Sequence, residues 1–242
     1  MPRGSHRGTS GTTAPPGAER VGPVTGLTLD LPKRGTLRIL CLGAHSDDIE
    51  IGCGGTILRL LASRRVLCRW VVFSSSESAV RQREAHRSAV RLLARAASAE
   101  ITIRNFRDGF FPFIGAEIKE FFEVVAREGT PDLIFTHHRY DRHQDHRLIS
   151  DLTWNTFRRH LILEYEVPKY DGDLGIPNCF VSLDRTVSRQ KVRHLLSSFG
   201  SQRDKRWFTG ETFFGLMRLR GIECASPSGY AEAFYGRKLI LA

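Results

Sequence analysis

Short apolar runs alternate with longer stretches of helical periodicity along most of the chain, and that alternation leaves few folds open. Leu37–Leu42 and Val66–Ser74 are apolar runs of strand length, the second rich in valine. Thr56–Ser63 between them reads as a helix, and Ala79–Ala97 carries Ala, Val and Leu at helical spacing with arginines interspersed. A brief strand at Ile101–Ile103 precedes a helix over Glu117–Glu128, with Ile118, Phe121, Phe122 and Val125 on one face, and Leu133–Thr136 is a further strand. Buried strands that alternate with helices of roughly 10–15 residues build βαβ units around a parallel sheet. The expected class is therefore α/β, a doubly wound, Rossmann-like, mostly parallel sheet flanked by helices. A helix from Asp145 to about His160 follows, with strands near Leu161–Val167 and Asn178–Leu183. Helices then run from Asp184 to about Phe199 and from Thr209 to Leu219, ahead of a terminal apolar Leu239–Leu241. No internal repeat is visible.

Composition trims the remaining options. At 242 residues and 41% hydrophobic, the chain can bury a core without disulfide staples. Residues 1–35, rich in Gly, Pro, Ser and Thr, read as a flexible leader whose Met1–His6 opening resembles a cloning remnant, and 36–242 as a single domain. No apolar run approaches the roughly 18–20 residues of a membrane span. Cys41, Cys53, Cys68, Cys179 and Cys224 are odd in number and lack CxxC spacing. With no apolar signal-peptide core either, reduced thiols in a cytoplasmic setting are expected. The net charge of +10 is carried largely by arginine. Without a nucleic-acid-binding motif, that charge suits a phosphate-bearing metabolite better than nucleic acid. A homo-oligomer is left open.

Ligands of doubly wound sheets sit beyond the carboxyl ends of the strands, which directs attention to the loops after Leu42, Ser74, Ile103 and Thr136. The first continues Gly43-Ala44-His45-Ser46-Asp47-Asp48-Ile49-Glu50, then a glycine-rich stretch through Gly55. Read plainly, Asp47 or Asp48 caps the next helix and the glycines make a turn. That leaves a second carboxylate and a histidine in the same crevice unexplained. The loop after Thr136 runs His137-His138-Arg139-Tyr140-Asp141-Arg142-His143-Gln144-Asp145-His146, and holds four of the nine histidines. If Asp145 opens the next helix, His143 and His146 share a face. Two His/Asp-rich loops at separate strand ends supply the mixed imidazole–carboxylate set of an open catalytic metal site. A divalent ion held by three such ligands lowers the pKa of water towards about 7. A neighbouring carboxylate can then serve as base and an imidazole as oxyanion stabiliser and acid. No serine nucleophile elbow is present. Gly52–Gly55 lacks the Lys-Ser/Thr of a phosphate cradle, and Cys53 reads as a small buried thiol.

His45-Ser46-Asp47-Asp48-Ile49-Glu50 resembles the AHPDDxE signature, and His143-Gln144-Asp145-His146 the HPDH signature, of the PIG-L/LmbE-like N-acetylglucosamine deacetylases. The resemblance extends from about Leu37 to the C-terminus. It implies that His45, Asp48 and His146 hold Zn2+ or another divalent metal. Asp47 is then the general base, His143 stabilises the tetrahedral intermediate and protonates the amine, and Asp145 orients His143. Arg81, with Arg83 as rival, and Asp108 resemble residues that grip sugar hydroxyls. Ser46 and Gln144 replace the family's usual prolines, a change expected to loosen the loops. Glu50 is expected to support the loop. The implied reaction removes acetyl from an N-acetylamino sugar or its conjugate, nucleotide-linked or a natural-product intermediate among the options. Two alternatives stand: an amidase acting on an acylated antibiotic or thiol-sugar conjugate, and a non-catalytic nucleotide-binding protein.

Overall fold

Seven strands form one sheet in the computed structural model, which describes residues 35–75 and 78–239. They are β1 (Thr36–Gly43), β2 (Arg65–Val72), β3 (Ser98–Ile103), β4 (Leu133–His137), β5 (Leu161–Tyr165), β6 (Cys179–Leu183) and β7 (Tyr230–Gly236). Their order is β3-β2-β1-β4-β5-β7-β6. The first five lie parallel, while β7 runs antiparallel to β5 and β6 antiparallel to β7. The helices are α1 (Asp48–Ser63), α2 (Ala79–Leu92), α3 (Gly115–Arg127), α4 (Gln144–Thr156), α5 (Arg185–Ser198) and α6 (Gly210–Glu223).

The continuous apolar runs reflect burial on both sheet faces. Leu37, Ile39 and Cys41 of β1 join a core with α1, α2, α5 and α6, whereas Leu40 and Leu42 join a second core with α3 and α4. This is the period of two that a strand imposes on its side chains. The chain winds outward from β1 through β2 to β3, then crosses back to lay β4 on the other flank of β1. A crevice opens at that reversal, beyond the carboxyl ends of β1 and β4.

Several segments depart from expectation, among them α4, which ends at Thr156 rather than about His160, and α6, which runs on to Glu223. Helix α1 starts at Asp48, eight residues ahead of Thr56, and takes in the glycine-rich stretch. Glycine disfavours a helix interior by about 1 kcal/mol, which hides this turn from propensity, but close packing requires it. A Cβ on Gly52 would lie 2.1 Å from Tyr165 Cδ2, and one on Gly55 2.6 Å from Leu183 Cδ1. Strand β7 has no apolar run to announce it: Tyr230-Ala-Glu-Ala-Phe-Tyr-Gly contains a buried carboxylate and two alanines. Leu239 lies beyond that strand, and 240–242, like the leader up to residue 34, fall outside the described residues. Helix α2 stops at Leu92, and 98–100 belong to β3. No helix among the described residues is long and apolar enough to cross a membrane.

Glu232 of β7 explains its own burial. It accepts from Gly55 N (2.8 Å), Thr56 N and Thr56 Oγ1 (both 2.6 Å), and pairs with Lys191 Nζ of α5 at 2.6 Å. Lys191 also donates to Ile51 O. The pair pins α1, and with it the loop that leads into α1, to the far side of the sheet. Lys191→Met should leave Glu232 buried and uncompensated, costing about 3–5 kcal/mol in urea unfolding. Adding Glu232→Gln to that variant should recover part of the loss.

Candidate active site

The β1–α1 loop and the β4–α4 loop meet at this crevice. Asp47 occupies the N-cap position of α1, yet its side chain makes no capping bond. His143 is the N-cap of α4, and its Nδ1 accepts from Asp145 N at 3.3 Å. That leaves the His143 proton on Nε2, the usual consequence of fixing one ring nitrogen as acceptor.

His45 Nδ1 lies 3.1 Å from His146 Nε2, Asp48 Oδ2 lies 3.4 Å from the former, and 3.5 Å from the latter. The surrounding hydrogen bonds assign the lone pairs. His146 Nδ1 is 2.8 Å from Asp141 Oδ2 and donates to it, so Nε2 is bare. His45 Nε2 faces Asp145 Oδ2 (3.2 Å) and Asp108 Oδ1 (3.1 Å), so its proton sits there and Nδ1 is bare. With both rings neutral, as a bound cation requires, two imidazole lone pairs and a carboxylate oxygen converge. In a tetrahedron with metal–nitrogen bonds of about 2.0–2.1 Å, neighbouring ligand atoms stand about 3.3–3.4 Å apart, close to all three edges here. The donor set fits a divalent cation, and the carboxylate–imidazole pairing of Asp141 with His146 is the support such ligands commonly receive. Overlapping sets add His137 beside Asp48 and His146, and His143 beside His45 and His146.

Charge is unevenly held. Burial disfavours a cationic His45, but Asp108, Asp145 and Asp48 outweigh it and raise its pKa well above the ordinary value, so without a cation Nδ1 holds a second proton that metal binding would displace. Burial and the neighbouring His137 lower His146 to about 4, leaving it neutral. Burial works against ionised Asp48, yet His146, His137 and His45 hold its pKa well below the usual carboxylate range. Asp47 is raised to about 6 by burial and the Asp48 charge, with Arg81, Lys205 and His45 pulling the other way. Its Oδ2 is buried without a hydrogen-bond partner, which a merely capping aspartate would not tolerate. Burial and the charge on His45 lower the His143 pKa.

All eight residues expected to form the site converge. Arg81 Nη2 reaches Asp47 Oδ1 at 4.0 Å and Nη1 reaches Asp108 Oδ2 at 3.5 Å, while Arg83 is exposed. The Asp145 carboxylate is aimed differently from expectation: it serves His45 and accepts from Gly109 N (2.7 Å) and Phe111 N (3.1 Å), and only its backbone amide reaches His143. Gln144 does not loosen its loop. It stands at the first position of α4, where proline is favoured because the N–H is unpaired, and its side chain instead donates to Gly109 O at 2.9 Å. Glu50 is buried, bonded by Ser88 Oγ, and raised by that burial to about 8.

Four further residues escaped the sequence reading. His137 stacks on His146 with centroids 3.9 Å apart, and its Nε2 accepts from Ala44 N at 2.9 Å, steadying the metal-side loop. Tyr165 donates to Leu42 O at 2.6 Å. Asp141 holds His146, and Lys169 Nζ neutralises Asp141 at 2.9 Å. His137 and Asp141 stood in the histidine-rich loop and could have been read from it. Lys169 lies more than 20 residues further on, after β5 and outside both His/Asp-rich loops, in a Pro168–Asp173 stretch that shares the family resemblance.

The doubly wound sheet with this His/Asp crevice at its topological switch is similar to that of the PIG-L/LmbE-like deacetylases. Residues 40–157 match the family described as GlcNAc-PI de-N-acetylase (PIG-L). Over 139 residues, 54% of this chain and 74% of the relative, it is 28% identical to the uncharacterized deacetylase YaiS of Escherichia coli K12. The N,N'-diacetylchitobiose deacetylase of Pyrococcus horikoshii superposes with a TM-score of 0.62 at 22% identity, covering 83% of each chain. GalB, the 4-carboxy-2-hydroxymuconate hydratase of Pseudomonas putida KT2440, superposes at 0.66 with 17% identity, over 85% of this chain and 98% of that one. Those two likenesses establish the fold, and the second is a reminder that a shared fold does not dictate a reaction.

Proposed function

We propose that this protein is a metal-dependent N-deacetylase, with zinc as its cation, that hydrolyses the acetamide of an N-acetylamino sugar or sugar conjugate to acetate and a free amine. The observation that carries this reading is the convergence of His45 Nδ1, Asp48 Oδ2 and His146 Nε2 at 3.1–3.5 Å, beside a buried Asp47 with an unpartnered oxygen. The match to the de-N-acetylase family and the deacetylase relative support it.

His45, Asp48 and His146 would hold the cation, which when bound supplies Lewis acidity towards water and the amide carbonyl. Asp47, with a pKa near 6, is ionised at neutral pH yet basic enough to take the proton of the attacking water. His143 presents its Nε2–H to the oxyanion formed on the acetyl carbon, and the departing nitrogen recovers, from the Asp47 carboxyl, the proton that Asp47 took from water. Asp145 holds the His45 ring through Nε2–H, so that Nδ1 stays turned to the ligand position. Arg81 steadies the Asp47 carboxylate and, with Asp108, offers polar groups to sugar hydroxyls.

The test is a substrate panel with acetate release as readout, run with zinc, cobalt, iron or no added metal. N-acetylglucosamine conjugates should yield one acetate per amine, in a metal-dependent manner. Preference for long-chain acyl amides would replace this reading with the antibiotic or thiol-sugar amidase. Hydration without amide cleavage would replace it with a GalB-like reaction.

A further inference from the structure

Helices α2 and α5 lie side by side, with Ser88 Oγ of α2 2.8 Å from His194 Nε2 of α5 and Arg91 Nη2 donating to Ser197 Oγ at 3.4 Å. Both bury an inner side, through Ala85, Ala89 and Leu92 in α2 and through Val192 and Leu195 in α5. Their outer sides repeat one pattern. Arg83, Arg87 and Arg91 stand four residues apart along α2, and Arg185, Arg189 and Arg193 four apart along α5, all of them exposed. Four residues advance an α-helix by about 6 Å and slightly more than one turn, so each set is a row on one face.

Helix stability does not account for these rows. Like charges at that spacing repel one another, and soluble surfaces ordinarily intersperse both signs. On the opposite face of the sheet this chain does so: α3 carries Glu117, Glu120 and Glu123 among Lys119 and Arg127, and Lys119 pairs with Glu123. Across α2 and α5 the one acidic side chain is Glu84, which is taken by Ser201 N (3.0 Å) and Ser201 Oγ. None of the arginines in the two rows forms an ion pair among the described residues. Arg185 even stands in the first turn of α5, where the helix dipole disfavours a cation.

We propose that the α2–α5 face is a docking surface for a bilayer rich in anionic headgroups. Three features select that partner. Neither helix carries a Phe, Tyr or Trp to stack on bases, and side by side they present a broad face rather than one helix that could enter a duplex groove. A protein partner needs an apolar centre, and the large apolar side chains exposed on these helices are Val80 and Val90 alone, 50% and 48% exposed. A headgroup layer needs neither, because about four to eight Lys or Arg on a helical face suffice to hold it. The face borders the metal crevice, since Arg81 in the first turn of α2 reaches Asp47 and Asp108, so docking sets the crevice at the rim of the bilayer contact. The surface is independent of the reaction performed there.

The test is co-sedimentation of the full chain with vesicles of phosphatidylcholine alone and of phosphatidylcholine with about one-third phosphatidylglycerol. The parent protein should bind the mixed vesicles and not the neutral ones, and should be released as ionic strength rises. Arg87, Arg189 and Arg193 make no hydrogen bond or ion pair among the described residues, so their replacement disturbs no internal contact. The triple variant Arg87→Gln/Arg189→Gln/Arg193→Gln should bind the mixed vesicles about 100-fold more weakly. A control that removes three exposed arginines at or beyond the ends of α3 and α4, Arg127→Gln/Arg158→Gln/Arg159→Gln, should bind within about threefold of the parent. Equal weakening in the two triple variants means that net charge alone draws the protein to the vesicles, and overturns the docking face. Absence of binding to the mixed vesicles overturns it too. A duplex oligonucleotide bound by the parent and lost by the first variant, without vesicle binding, reassigns the face to nucleic acid and overturns the bilayer. Phenylglyoxal footprinting of the parent protein makes the result independent of how any variant folds. Mixed vesicles should shield Arg87, Arg189 and Arg193 but not Arg127 and Arg158, and labelling that vesicles leave unchanged overturns the proposal.

Discussion

Asp47→Ala should keep its cation and lose about 10²–10⁴-fold in kcat, the usual contribution of a positioned general base. Asp47 is not among the three converging ligand atoms, so metal content by elemental analysis should match the parent protein. It is buried, carries a pKa raised to about 6 by that burial and by Asp48, and has an oxygen with no partner. A group held in that condition costs stability, and such groups cluster where a reaction uses them. Asp47→Ala should accordingly leave the folded protein no less stable in urea. Metal retained with turnover unchanged would remove Asp47 from its role. Metal lost would make it a ligand instead.

His146→Ala should abolish cation binding. In the parent protein, free cation at about 100 times its Kd should stabilise the fold by about 2.7 kcal/mol, raising Tm by about 5–10 °C for a domain of this size. That rise should vanish in the variant. Asp141→Asn gives a graded companion: it keeps all three converging atoms but weakens the acceptor that fixes the His146 ring, and should lower metal affinity by about 10–100-fold. A His146→Ala protein that still shows the full cation-dependent rise would move the metal site elsewhere, the adjoining His45–His143–Asp108–Asp145 group being the next place to look.

Much of this site was legible before any coordinates because its parts are clustered along the chain. His45, Asp47 and Asp48 leave one buried strand within four positions, and His143, Asp145 and His146 leave another. Placement of ligands beyond the carboxyl ends of the strands then brings the two clusters into one crevice. Arg81 against Arg83 could not be settled that way, since both lie on one helix and only packing shows Arg81 turned to Asp47 and Asp108 while Arg83 is exposed. The aim of Asp145 was equally hidden. A residue two positions from His143 can serve it by side chain or by backbone, and here the loop around Gly109 and Phe111 draws the carboxylate the other way. The early start of α1 was masked by glycines whose helical cost is offset by contacts with Tyr165 and Leu183, more than 100 residues away.

Local order in the chain determined the alternation of strands and helices, the two His/Asp-rich loops and the family they resemble, because apolar period and motif spacing are properties of neighbouring residues. Tertiary structure alone decided which nitrogens of His45 and His146 face the carboxylates, the place of β7 between β5 and β6, and the neutralisation of Asp141 by Lys169. Each of these depends on which distant group reaches a given atom first, and hydrogen bonds act over about 3 Å of space irrespective of separation along the backbone.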